Sequence, residues 1–164
     1  MSTTNALFGR IQMQHHSINT LIQWGEHLTV EHPEIDAQHK ALYDLGTTVY
    51  EKWRAGGSVN ALRPAVEKLT ALLKDHFSYE EQVLTGIGYA GLDEHVAEHR
   101  SMLDEMEVVR EQFYRFEDDG KPSGGSLLAP GWPVLQLILG FIIGHVSTSD
   151  MGYCRALVDS RAAS

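Results

Sequence analysis

Cysteine is nearly absent from this chain of 164 residues: Cys154 stands alone. One thiol closes no intramolecular disulfide and builds no thiolate zinc cluster, so Cys154 reads as a small apolar residue. Basic residues are also sparse. The 13 Lys and Arg face 22 Asp and Glu, giving a formal charge of −9 with no basic cluster, which argues against nucleic acid and anionic membrane surfaces as partners. Long apolar runs are missing as well. The most apolar stretch, "WPVLQLILGFIIGHV" at 132–146, carries Gln136 and His145 and is shorter than the roughly 20 residues that span a bilayer. It reads as a buried bundle helix, with no membrane insertion expected. The opening "MSTTNALFGR" lacks the basic start and apolar stretch of a secretory signal, so the expected location is cytoplasmic.

What is present fits one soluble globular domain: 43% hydrophobic residues and a mean hydropathy of −0.22, in a chain long enough to bury a core without staples. Apolar residues and histidines recur at alternating steps of three and four. One stripe runs through Ile35, His39, Leu42, Leu45, Val49 and Trp53. A second runs from Leu62 through Leu69, Leu73, His76 and Glu80 to Val83, and a third from Leu92 through His95, His99, Met102 and Met106 to Phe116. Each is one face of an amphipathic helix. "RAGGSVN" at 54–60 ends the first helix, offering Ser58 or Asn60 as a cap, with Pro64 tolerable in the first turn of the second. "GIGYAG" at 86–91 separates the second from the third, and the Gly/Pro/Ser-rich stretch 117–133 separates the third from the fourth. No alternating strand pattern, internal repeat or low-complexity tract is visible. The expected fold is all-α: an antiparallel up-down-up-down four-helix bundle over 25–158, with an N-terminal arm (1–24) and a C-terminal tail (159–164).

After His32 only five of the nine histidines remain, His39, His76, His95, His99 and His145, all on or near apolar stripes. A lone histidine there is usually a hydrogen-bonded core residue. Five together need a partner for every buried ring nitrogen, and a metal provides such partners. His76 and Glu80 are four apart, as are His95 and His99, so each pair shares a helical face. Glu81 is expected to point elsewhere, into solvent. Asp150 lies five residues after His145, which on an ideal α-helix leaves it off the face of that histidine. Helical geometry alone does not select it. "HVAEH" at 95–99 also matches H-x-x-E-H, the inverted zinc-peptidase pattern, in which Glu98 would be the base.

The segments "WGEHLTVEHPEIDAQHKAL", "HFSYEEQVLTGIGY", "LDEHVAEHRSML" and "HVSTSDMGY" resemble, in order and spacing, the four motif regions of bacterial hemerythrins. The likeness covers roughly residues 22–158 and includes Trp24, the I-D-x-Q-H-K run and the H-x-x-x-x-D step. It implies seven ligands for two iron ions bridged by hydroxide or oxide: His39, His76, Glu80, His95, His99, His145 and Asp150. His95, His99 and His145 would serve one iron and His39 with His76 the other, both carboxylates bridging. One coordination position then stays open, on the iron with two histidines, where the resemblance places reversible dioxygen binding.

A zinc peptidase would leave His39, His76 and His145 without a purpose, so Glu98 is expected to face away from the metals. The resemblance further implies an apolar pocket wall from Phe141, Ile142 and Val146. Phe141 replaces a common tryptophan and Val146 a common isoleucine, so a roomier pocket and faster autoxidation are expected. His15, His16, His27 and His32 read as solvated surface residues, and Tyr79, Tyr89 and Tyr153 as packing residues with a hydroxyl partner. The expected function is oxygen storage, transport or delivery by a monomer, with dioxygen and an oxygen-consuming enzyme as partners, and not enzymatic catalysis. The alternatives are an oxygen or redox sensor acting through the N-terminal arm or the 117–133 loop, and a di-iron peroxide or nitric oxide reductase.

Overall fold

The structure is a computed structural model that describes residues 23–115, 134, 136, 137 and 140–162, with the backbone alone for Ile142 and Ile143. The N-terminal arm before residue 23, the 117–133 loop and the last two residues lie outside this range.

A 3-10 turn (Glu26–Leu28) leads into α1 (Pro33–Arg54), α2 (Val59–Gly86) and α3 (Leu92–Arg115), followed by a π-helical segment (Gly140–Asp150) that continues as α4 (Met151–Ala162). Among the described residues the chain is all helical, and short connections fold α1, α2 and α3 back on one another as neighbours in a four-helix bundle. None of these helices is long and apolar enough to cross a membrane.

The breaks work as local chemistry requires. Gly56 and Gly88 both have positive φ. At the end of α1 the N–H groups of Gly56 and Gly57 donate to the carbonyls of Trp53 and Lys52. At the end of α2 those of Gly88 and Tyr89 donate to Thr85 and Leu84. Each is a Schellman closure around a left-handed residue, which satisfies carbonyls that the helix end would otherwise orphan. Ser58 stands at the N-cap of α2. Because α2 starts at Val59, Pro64 lies beyond the first turn and not within it; the helix there forgoes one backbone hydrogen bond. His32 is not a solvated residue. It is half-buried, caps α1 by accepting from Ile35 N at a long 3.4 Å, and meets Tyr79 edge-on. His27 is exposed as expected. Trp24 is half-buried and tilts against Tyr43 of α1, its ring centre 5.6 Å away.

Two apolar clusters form the core. The larger includes Trp53, Leu69, Phe77, Met106, Phe113, Phe141 and Val146; the smaller joins Val30, Ile35, Leu84, Tyr153 and Leu157. Between them lies a layer of buried polar side chains.

Candidate metal centre

The four helical elements each contribute to this layer. α1 supplies His39, α2 supplies His76 and Glu80, α3 supplies His95 and His99, and the π-helical segment supplies His145 and Asp150; all seven are buried. On α2 and α3 the step of four aligns each pair, as the spacing predicts. The fourth element solves its step of five differently. Its i→i+5 hydrogen-bonding pattern widens the turn, so that a residue five positions on returns to the same face. His145 Nε2 accordingly stands 3.0 Å from Asp150 Oδ1. The expectation that Asp150 lies off this face fails because it assumed α-helical geometry.

The side chains gather into two groups that share Glu80. One is Glu80, His95, His99 and His145; the other is His39, His76 and Glu80. This is the division of histidines that the resemblance implies. Glu80 Oε2 lies 3.1 Å from His99 Nε2, 3.3 Å from His95 Nε2 and 3.7 Å from His76 Nε2. Asp150 also spans both groups, with Oδ2 3.2 Å from His39 Nε2 and Oδ1 3.6 Å from His95 Nε2.

Several contacts make sense only around cations. His39 Nε2, His76 Nε2 and both Asp150 oxygens are buried without a hydrogen-bond partner, although other polar atoms are close. Each such orphan costs about 1–3 kcal/mol if left unsatisfied. His99 Nε2 and His145 Nε2 face each other at 3.0 Å, while their Nδ1 atoms meet carboxylates: Glu81 at 2.8 Å and Glu98 at 3.1 Å. Carboxylates also stand at the inner nitrogens, Glu80 3.1 Å from His99 Nε2 and Asp150 3.0 Å from His145 Nε2; with the ring protons on Nδ1, two Nε2 lone pairs and two carboxylates converge and repel one another. A shared cation turns that repulsion into binding. The residues therefore fit a two-metal centre, and five imidazoles with two carboxylates suit first-row transition metals.

Electrostatics point the same way. Burial, only partly offset by Glu80, lowers the His76 imidazole to about 3, so the ring is neutral and its lone pair available. Burial works against a charge on Glu80, yet the surrounding His95, His99 and His76 rings and the Tyr153 hydroxyl outweigh it and hold the carboxyl well below its ordinary range. Tyr153 OH donates to Glu80 Oε1, the hydroxyl partner expected of this tyrosine. Burial and the neighbouring Asp150 and Glu80 push the phenol's pKa far up, which keeps it a donor.

Of the pocket residues, Phe141 is buried with its ring centre 5.7 Å from that of His39 and 5.8 Å from that of His76. Val146 is buried in the larger cluster, and the side chain of Ile142 lies outside the described residues. Sequence reasoning missed four contributors. Phe77 stacks flat on His99 at 3.8 Å. Gln38 Oε1 stands 3.1 Å from His76 Nδ1. Glu81, expected in solvent, instead anchors His99 and is only 33% exposed. Glu98 does turn away from the ligating nitrogens, as expected, but it holds the outer side of the His145 ring and accepts from Ser149 Oγ at 2.5 Å. The signal that identifies the three polar ones is adjacency: Gln38, Glu81 and Glu98 each neighbour a predicted ligand in sequence.

Residues 30–154 match the family described as the Hemerythrin HHE cation binding domain. A curated relative, the myohemerythrin of Theromyzon tessulatum, is 28% identical over 92 residues, which is 54% of this chain and 68% of the relative. With the match spanning most of the chain and all four elements of the buried centre, this chain belongs to the hemerythrin family.

Proposed function

We propose that the chain binds dioxygen reversibly at a di-iron centre and serves oxygen storage, transport or delivery to an oxygen-consuming enzyme. The observation that carries this reading is the asymmetry of the centre: four protein ligands gather on one side and three on the other. Glu80, His95, His99 and His145 would hold one iron, and His39 and His76, sharing Glu80 and Asp150, the other. The poorer side is where a small ligand finds room. A di-iron pair held by these residues would supply the two electrons that reversible dioxygen binding requires.

The chain's own residues account for reversibility. Phe141 edges onto His39 and His76, and with Leu42, Leu69, Leu73, Met102 and Leu137 it lines an apolar cavity of about 20 Å³. Apolar walls limit water entry and charge separation at such a site. Tyr153 keeps its proton and directs it at Glu80, stabilising that carboxylate as an anion. Five imidazoles with two carboxylates also differ from the carboxylate-rich sets that stabilise high-valent iron in oxygen-activating bundles. That difference supports a binding protein over an enzyme.

The test is an optical spectrum of iron-loaded protein through anaerobic reduction, oxygen addition and argon purging. A charge-transfer band at about 500 nm that rises with oxygen and falls on purging, with about two irons per chain, is the expected result for an octahedral His/carboxylate centre. Immediate, permanent conversion to the ferric state overturns reversible binding in favour of a sensor or reductase.

A further inference from the structure

The inner ring nitrogens of the five histidines all meet the centre through Nε2. Their outer nitrogens are treated unequally. His99 Nδ1 and His145 Nδ1 donate to the carboxylates of Glu81 and Glu98. His76 Nδ1 meets the neutral amide oxygen of Gln38, and no described side chain partners His39 Nδ1 or His95 Nδ1, the latter ring being held through Nε2 alone.

This difference sets how firmly the proton is held on the outer nitrogen. A carboxylate can only accept, so it fixes the proton on Nδ1 and leaves the Nε2 lone pair free for a cation. The Gln38 oxygen accepts as well, but it is neutral and its amide can turn over to offer a donor instead, so it holds the His76 proton on Nδ1 less firmly. His39 receives no such instruction from a side chain. A carboxylate behind an imidazole also raises its basicity as a ligand. The placement follows one rule: Gln38 of α1 serves α2, Glu81 of α2 serves α3, and Glu98 of α3 serves the π-helical segment. Only the first of these positions holds an amide.

We infer that Glu81 and Glu98 are positioning residues that make the group of Glu80, His95, His99 and His145 the tight metal position, leaving His39 and His76 as the weak position that empties first. This rests on the two-metal reading above. The count of ligands acts in the same direction, since the first group has three histidines and the second two, with Glu80 common to both. His99 is further immobilised by its flat stack on Phe77.

The test uses the full chain loaded with Zn²⁺ and stripped stepwise by a chelator, with the imidazole nitrogen signals followed by NMR. In the wild type the His39 and His76 signals revert first. Replacing both carboxylates, Glu81→Gln with Glu98→Gln, is expected to loosen the ion of the three-histidine group by about 10–100-fold. The converse change, Gln38→Glu, is expected to tighten the two-histidine position by about tenfold, a gain that structural damage does not mimic. Simultaneous loss of both ions from the wild type, prior emptying of the three-histidine group, or unchanged affinities in both variants overturns the inference. Zinc binds no dioxygen, so the result is independent of the oxygen spectrum above.

Discussion

Phe141 separates two spaces. One is the small apolar cavity; the other is a surface cleft of about 240 Å³ between α3 and the π-helical segment, lined by Glu98, Met102, Gly140, Gly144 and His145 among others, and the Phe141 ring itself meets His39 and His76 edge-on. Met102, Leu137 and Phe141 line both, so among the described residues these three form the wall that cleft and cavity share. A phenyl ring fills it less completely than an indole. Phe141→Trp is therefore expected to slow autoxidation of the oxygenated protein by up to about tenfold, with iron content unchanged. Decay of the oxygenated spectrum in air-saturated buffer measures it. An unchanged rate would mean that solvent reaches the centre by another path.

Among the helices, connections and registers differ in how far they can be read from sequence. The stripes of α1, α2 and α3 are legible because a step of three or four marks one helical face wherever it occurs, and they bring His39, His76, Glu80, His95 and His99 into the centre. The fourth element is not legible in the same way. Nothing in "GFIIGHVSTSD" announces an i→i+5 pattern, because the wider register is selected by the centre that His145 and Asp150 help to form, a tertiary cause. The partners Gln38, Glu81 and Glu98 were obscured for a related reason: each acts on a different helix from its own, so its role depends on packing and not on local spacing. The turn at Gly88 is the opposite case. Its φ of +65 closes α2, and an added Cβ would meet nothing within 4 Å, so a substitution there carries backbone strain alone. Gly88→Ala should cost about 1–2 kcal/mol of stability, read as a lower urea midpoint with unchanged slope. A loss much larger than this would show that the turn also contributes packing.

At the scale of the whole molecule, two apolar clusters enclose a layer of imidazoles and carboxylates, and its protonation links stability to pH. In the iron-free chain His76, ordinarily near 6.5, is held at about 3 by burial, and burial lowers His145 as well. An unfolded chain binds protons at these rings below pH 6.5 while the folded chain does not. Their contribution is therefore fully present above 6.5 and is lost progressively as pH falls toward 3. Glu80, held well below the usual carboxylate range, acts in the same direction at lower pH. His95 opposes them: burial lowers it, but the hydrogen bond and charge of Glu80 prevail and raise it, so its contribution is present below 6.5 and lost as pH rises through the higher value. Two rings and a carboxylate outweigh one ring. Acidification of the iron-free chain from about pH 7 to about pH 5 should thus cost about 2 kcal/mol from His76 alone, seen as a falling urea midpoint. Iron-loaded protein should resist the same change until acid displaces the metal, because ligated nitrogens cannot take up protons. A midpoint in the iron-free chain that stays level or rises over this interval would show that His95 dominates the layer, and that His76 and His145 are not neutral in the folded state.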